Sequence, residues 1–172
     1  MAINLPIKRQ RIFKGFTLIE IVVASALLMT VSVVSVASFT RYSESQKIKN
    51  VAMDLSLILQ KARSRAQAQI KPSDISICEG YPLKGYEVRI CNSMIETCIG
   101  GDSYGLYVHC GTAFQLIETK YLPRKVRFGI GSDRSFYFAL MKGTVNEGFI
   151  VLDSDNIQKT IEINNLGSIN IL

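Results

Sequence analysis

Few side chains in this 172-residue sequence could do chemistry, and their placement says of what kind. Glu20 is the only ionisable residue between Phe16 and Phe39. A carboxylate in an apolar helix is tolerated only when protonated or paired, at a cost of about 2.5–3.5 kcal/mol on the membrane-insertion scale. Cys78, Cys91, Cys98 and Cys110 fall within 33 residues, and no cysteine lies elsewhere. An even set of this kind predicts disulfides, with three possible connectivities. Sequence separation favours neither Cys78–Cys91 with Cys98–Cys110 nor a nested arrangement around Cys91–Cys98. There is no C-x-x-C pair and only one histidine, so zinc-ligand spacing is missing and no metal is expected. His109 alternates away from Leu106, Val108 and Cys110, which predicts a surface imidazole. Gly129 and Gly131 form a bare G-x-G between two strands, not the strand-to-helix turn of a phosphate loop. Asp153-Ser154-Asp155-Asn156 lacks the glycine and distant glutamate of a calcium loop and reads as a hairpin turn. No catalytic constellation and no cofactor site emerge, so the chain is not expected to be an enzyme.

The elements that position these groups begin with a basic start. Lys8, Arg9, Arg11 and Lys14 precede an apolar run from Phe16 to Phe39, long enough to span a hydrocarbon core as a helix. A secretory signal peptide would have an apolar region of only about 7–15 residues before a small-residue cut. Ala24-Ser25-Ala26 could serve as one, but the run continues well past it. The net charge of +6 invites a nucleic-acid reading. Four of the twenty bases and none of the fourteen acids lie before Phe16, so the remainder carries only +2. The early bases act as a topogenic signal that keeps the start of the chain cytoplasmic and places the rest outside. Disulfides suit that compartment.

Beyond Phe39 a polar stretch, Arg41 to Lys47, leads into a stripe of Ile48, Val51, Leu55, Ile58, Ala62 and Ala66 at spacings of three and four. That pattern predicts an amphipathic helix with one buried face. No Pro or Gly interrupts residues 16–71, so one helix of about 80 Å is expected, ended by Lys71-Pro72. Two helices bent near residues 40–46 are the alternative. Later segments alternate as strands: Ile75 to Cys78, Tyr86 to Cys91, Leu106 to Cys110, Phe114 to Ile117, Phe149 to Leu152, Ile157 to Ile163 and Ile169 to Ile171. Val126 to Ile130 and Phe136 to Leu140 read as a hairpin across Gly131-Ser132-Asp133-Arg134. The expected class is α+β, a long N-terminal helix packed on an antiparallel β domain.

The junction Lys14-Gly15-Phe16-Thr17-Leu18-Ile19-Glu20 resembles the leader site of type IV pilins and type II secretion pseudopilins. The resemblance implies cleavage after Gly15 by prepilin peptidase and N-methylation of Phe16. It implies an assembly role for Glu20, whose carboxylate would meet the Phe16 ammonium of a neighbouring subunit, and Thr17 matches the second mature position. The implied organisation is a leader at 1–15, a transmembrane helix at 16–39, an amphipathic continuation at 40–71 and a β domain at 72–172. Small residues along the anchor (Ala24, Ser25, Ala26, Ser32, Ser35, Ala37 and Ser38) suit either helix packing in a fibre or any membrane helix. Glu147 to Leu152, Ile161 to Asn165 and Leu166-Gly167-Ser168-Ile169 resemble the closing strands of FimT/GspH-like minor subunits. The implied protein sits in the cytoplasmic (inner) membrane, its β domain outside, with other pilin or pseudopilin subunits as partners. One alternative is a FimT-like subunit that captures DNA. Such members carry arginines after a C-terminal glycine, where this chain has Gly167-Ser168-Ile169-Asn170. Lys120, Arg124, Lys125 and Arg127 are the other basic candidates, and a solvated turn is their plainer reading. A membrane-anchored binding domain that never polymerises is the remaining alternative.

Overall fold

The computed structural model describes residues 15–72, 78–141, 146–154 and 157–172, without the side chains of 33–38 and 41. The basic residues Lys8 to Lys14, most of the expected strand at 75–78, and Asp155-Asn156 lie outside the described residues. Two compact units divide the chain, Met1–Arg41 and Tyr42–Leu172.

One helix, α1 (Leu18–Gln67), runs through both units. It starts at Leu18 because Thr17 caps it: the Glu20 N–H donates to Thr17 Oγ1 at 3.4 Å. Thr17-Leu18-Ile19-Glu20 is a capping-box sequence, and Thr17 supplies its half of the pair. The helix ends before Pro72. Gln69 adopts a left-handed φ of 52°, and the N–H groups of Ile70 and Gln69 bond back to the carbonyls of Arg65 (3.1 Å) and Ala66 (3.3 Å). This is a Schellman closure with glutamine in place of the usual glycine. The expected end at residue 71 is therefore four residues too late.

In the first unit, Ser25, Thr30 and Ser32 donate their hydroxyls to the carbonyls of Val22, Leu27 and Leu28. Their polarity is thereby satisfied within the helix itself. Among the described residues no helix is long and apolar enough to cross a membrane. The span expected from the sequence includes residues 33–38, whose side chains lie outside the described set.

In the second unit the whole predicted stripe of α1 is buried, joined by Ala52 and Leu59. It forms one core with the inner faces of two four-stranded sheets. The first has the order β3 (Ala113–Tyr121), β2 (Ser103–Cys110), β1 (Leu83–Cys91), β5 (Ser135–Ala139). The second has the order β4 (Arg127–Phe128), β6 (Gly148–Ser154), β7 (Ile157–Ile163), β8 (Ile169–Ile171). Every pairing is antiparallel. Tyr86, Val88 and Ile90 point inward from β1 and Phe136 and Phe138 from β5, as period-two alternation requires.

Two sequence readings need correction. Cys78 sits in a 3₁₀ turn and not in a strand. Residues 126–130 and 136–140 do not form a hairpin, because β4 pairs with β6 and β5 pairs with β1. Side chains decide this. Ser132 Oγ donates to the Val151 carbonyl at 3.1 Å and accepts the Val151 N–H at 3.0 Å, and Asp133 accepts the Phe149 N–H at 2.9 Å. Residues 129–133 are thereby held along β6 as a crossover between the sheets.

Candidate functional site

The N-terminal junction is built by one local decision, the Thr17 cap. It leaves Gly15 and Phe16 outside the helix, and both are exposed. A Cβ added at Gly15 would meet no described atom within 4 Å. The Gly15–Phe16 peptide bond is thus free of intrahelical hydrogen bonding, as a protease needs. Glu20 sits in the first turn of α1 and is exposed. There its charge complements the partial positive charge of the helix start. After a cut, the Phe16 amine would be one residue before the cap and Glu20 one turn inside it. Two opposite charges then stand at the head of an apolar helix.

The four cysteines form two disulfides, Cys78–Cys110 and Cys91–Cys98, which is the nested connectivity. No described cysteine is free. Cys78–Cys110 ties the segment after the helix to the end of β2, and both of its residues are buried. Cys91–Cys98 closes a short ring at the opposite end of β1. Glu96 lies close to Cys91 and Cys98, but with both sulfurs bonded to each other no thiolate is left for a metal.

Neither Glu87 nor Arg89 stood out in the sequence, and the structure joins them to His109 on the outer face of the first sheet. Glu87 is nearly buried there. Its Oε2 accepts from Arg89 at 2.8 Å and lies 2.7 Å from His109 Nε2. The Arg89 guanidinium lies over the rings of Phe114 (4.2 Å) and Tyr107 (5.0 Å), and His109 stacks on Phe114 and meets Tyr137 edge-on. Burial pushes the Glu87 carboxyl up, and the hydrogen bonds and charges of Arg89 and His109 outweigh it, so the net shift is downward. Burial raises the Tyr137 phenol, helped by the Glu87 charge. The signal was the alternation Tyr86-Glu87-Val88-Arg89, which puts both charges on the face that His109 shares. The cluster is a half-buried ion pair roofed by aromatic rings. It contains no nucleophile with an activating base.

The basic candidates are partly neutralised. Lys120 lies 3.6 Å from Asp54, and Lys125 bonds Glu44 at 2.9 Å. Arg124 and Arg127 are exposed without an ion pair among the described residues. They do not gather with the lysines into one uncompensated patch.

Residues 10–36, under a sixth of the chain, match the prokaryotic N-terminal methylation motif. Comparisons with curated proteins and with solved structures give no match. The matched stretch contains the open Gly15–Phe16 bond, the Thr17 cap and Glu20, and the fold behind it has the helix-plus-antiparallel-sheet layout of pilins. That motif supports a subunit of the type IV pilin or pseudopilin kind, processed by prepilin peptidase.

Proposed function

We propose that the protein is a minor, FimT/GspH-like subunit of a type IV pilus or a type II secretion pseudopilus. It is anchored in the cytoplasmic membrane by residues 16–39, cleaved after Gly15, N-methylated at Phe16, and assembled with other subunits through its N-terminal helix. It is the substrate of a processing enzyme and not itself an enzyme. The observation that carries the reading is the contrast within α1: large apolar side chains from Phe16 to Val31 are exposed all round, while Glu20 is the only charge among them. Such a helix needs an apolar medium, lipid first and neighbouring helices afterwards. Within a dry bundle Glu20 is tolerated when a neighbour's ammonium reaches it, and the pair sets register more than it adds stability. The ion pairs of Lys120 and Lys125 weigh against the DNA-capturing alternative, since phosphate contact supplies most non-specific affinity.

The test is Glu20→Ala in the native host, with processing and assembly followed separately. The proposal expects a membrane protein that is still cut after Gly15 and no longer enters sheared filaments or the pseudopilus fraction. Wild-type levels of incorporation for Glu20→Ala would contradict it.

A further inference from the structure

We propose that the groove between α1 and β8 takes an extended segment of a partner protein by strand addition, with a carboxylate of that segment held at Arg63. The groove lies wholly within the unit Tyr42–Leu172, so the inference does not depend on the anchor. It starts from the four sheet edges. A free edge presents a row of N–H and C=O groups ready to pair with another chain, and folded proteins blunt it. Three of the edges are blunted here. On β4, the Phe128 N–H donates to the Asp102 carboxylate (2.9 Å), and the Phe128 carbonyl accepts from the Asn92 amide (3.3 Å). On β5, the Tyr137 N–H donates to the Asn146 side-chain carbonyl (3.1 Å), and the Asn146 amide donates to the Ser135 carbonyl (2.8 Å). β3 carries a bulge opposite Leu106-Tyr107, and its Glu118 and Lys120 pair with Lys61 (2.6 Å) and Asp54 (3.6 Å) of α1.

β8 has none of these devices. Ile169-Asn170-Ile171 carries no charge and no proline, and its register on β7 is unbroken. Its ladder runs past both ends: the Asn164 N–H donates to the Ser168 carbonyl (3.1 Å), and Leu172 and Thr160 exchange bonds (2.8 and 3.4 Å). Residues 168, 170 and 172 therefore turn their backbone groups to β7, and the alternation of an antiparallel ladder aims those of Ile169 and Ile171 away from it. Among the described residues no strand pairs with that side. Beside the edge, Gln60, Arg63, Ser64 and Gln67 of α1 with Ser168 and Ile169 line a cavity of about 370 Å³. A free edge beside a groove is what a peptide uses to add itself as a strand, its main chain supplying affinity and its alternate side chains specificity.

The walls define the occupant. Arg63 is the only charged residue among those lining the cavity. Its Nη1 and Nη2 donate to the carbonyls of Gly167 (2.8 Å) and Leu166 (3.1 Å), and its Nε is buried without a partner. No carboxylate pairs with it among the described residues. The fold thus leaves this guanidinium with neutral partners and spare N–H donors, and a carboxylate on the incoming segment supplies the missing charge. Ile169 packs against the core and Ile171 shares its face, so the segment presents apolar side chains at alternate positions beside the acid. A second copy's β8 does not fit, because it would bring Ile-Asn-Ile and another Arg63 but no acid.

The probe is a fluorescein-labelled peptide, Thr-Asp-Thr-Val-Thr-Val-Thr-Asp-Thr, which in either strand direction presents valines flanked by acids on one face. It is titrated with the full-length protein in detergent micelles and followed by fluorescence anisotropy. Saturable binding is expected, and it should be lost when the aspartates of the peptide are replaced by lysines. Ile171→Pro deletes an outward N–H while keeping the bonds to β7, a position where an edge strand accepts proline. It should abolish binding with the β domain still folded. Arg63→Gln should weaken binding about tenfold or more, the worth of a hydrogen bond to a charged group. No saturable binding by the wild type, or equal binding by Ile171→Pro, would overturn the inference. Equal binding of the lysine peptide would overturn it too, by removing the carboxylate. Self-association of the peptide-free protein that Ile171→Pro abolishes would assign the edge to a second copy, and would likewise overturn it.

Discussion

The two stretches of α1 solve the same problem in opposite ways. From Ile48 to Ala66 the apolar residues recur on one stripe, and the chain's own sheets bury them completely or nearly so. From Phe16 to Val31 they occur on every side, and Leu28 remains 69% exposed. A stripe can be covered by one domain, whereas an all-round apolar surface needs surroundings on all sides. The difference teaches that one secondary structure carries two kinds of surface, one for the domain core and one that the proposed function assigns to anchoring and assembly, distinguished by periodicity alone.

Leu55→Ala should have the largest effect, on the buried stripe. It removes a fully buried side chain, and unfolding of the β domain in denaturant should lose about 2–5 kcal/mol. Leu28→Ala should leave the same transition within about 0.5 kcal/mol. Equal losses would refute the division of labour along the helix. The disulfides separate next. Cys78 and Cys110 stand 32 positions apart, and Cys91 and Cys98 stand 7 apart. Loop-closure entropy then gives about 4 kcal/mol for the first bond and about 2.5 for the second, measurable by unfolding Cys→Ser pairs.

The outer face should give a smaller, pH-dependent effect. The Glu87 carboxyl is held below its usual range, so its contribution is present at neutral pH and is lost as the pH falls through that lowered value. Glu87→Gln should cost roughly 1–2 kcal/mol at pH 7 and flatten the acid side of the stability curve. Tyr104 behaves in the other direction. Burial, with the charges of Asp54 and Glu118, pushes its phenol up to about 12. Stability should therefore decline as the pH is raised from 10.0, where the unfolded phenol ionises, towards about 12, and Tyr104→Phe should lessen that decline. The smallest effect belongs to the cap. Thr17→Ala should cost about 0.5–2 kcal/mol of local helix stability, read as faster amide exchange at Glu20, without shifting the unfolding transition of the β domain.

Sequence reading reached the features written in local pattern. The stripe at Ile48 to Ala66 and the alternation in β1, β2 and β7 follow from periodicity. It missed what depends on long-range contact. Nothing local says that residues 126–130 pair with β6 and not with 136–140, because the deciding bonds come from Ser132 and Asp133 to Val151 and Phe149. The helix end eluded it because Gln69 takes a conformation usually left to glycine. The disulfide connectivity needed the sheet, since β1 separates the two ends at which the bridges lie. The Glu87–Arg89–His109 cluster needed the pairing of β1 with β2.

The central claim is that the Gly15–Phe16 bond is a processing site. Intact mass and N-terminal sequencing of the membrane-extracted protein, from hosts with and without prepilin peptidase, test it directly. The account predicts a chain beginning at N-methylated Phe16 that disappears when the peptidase is absent. An uncut chain in both hosts, or a cut near Ala26, would contradict it.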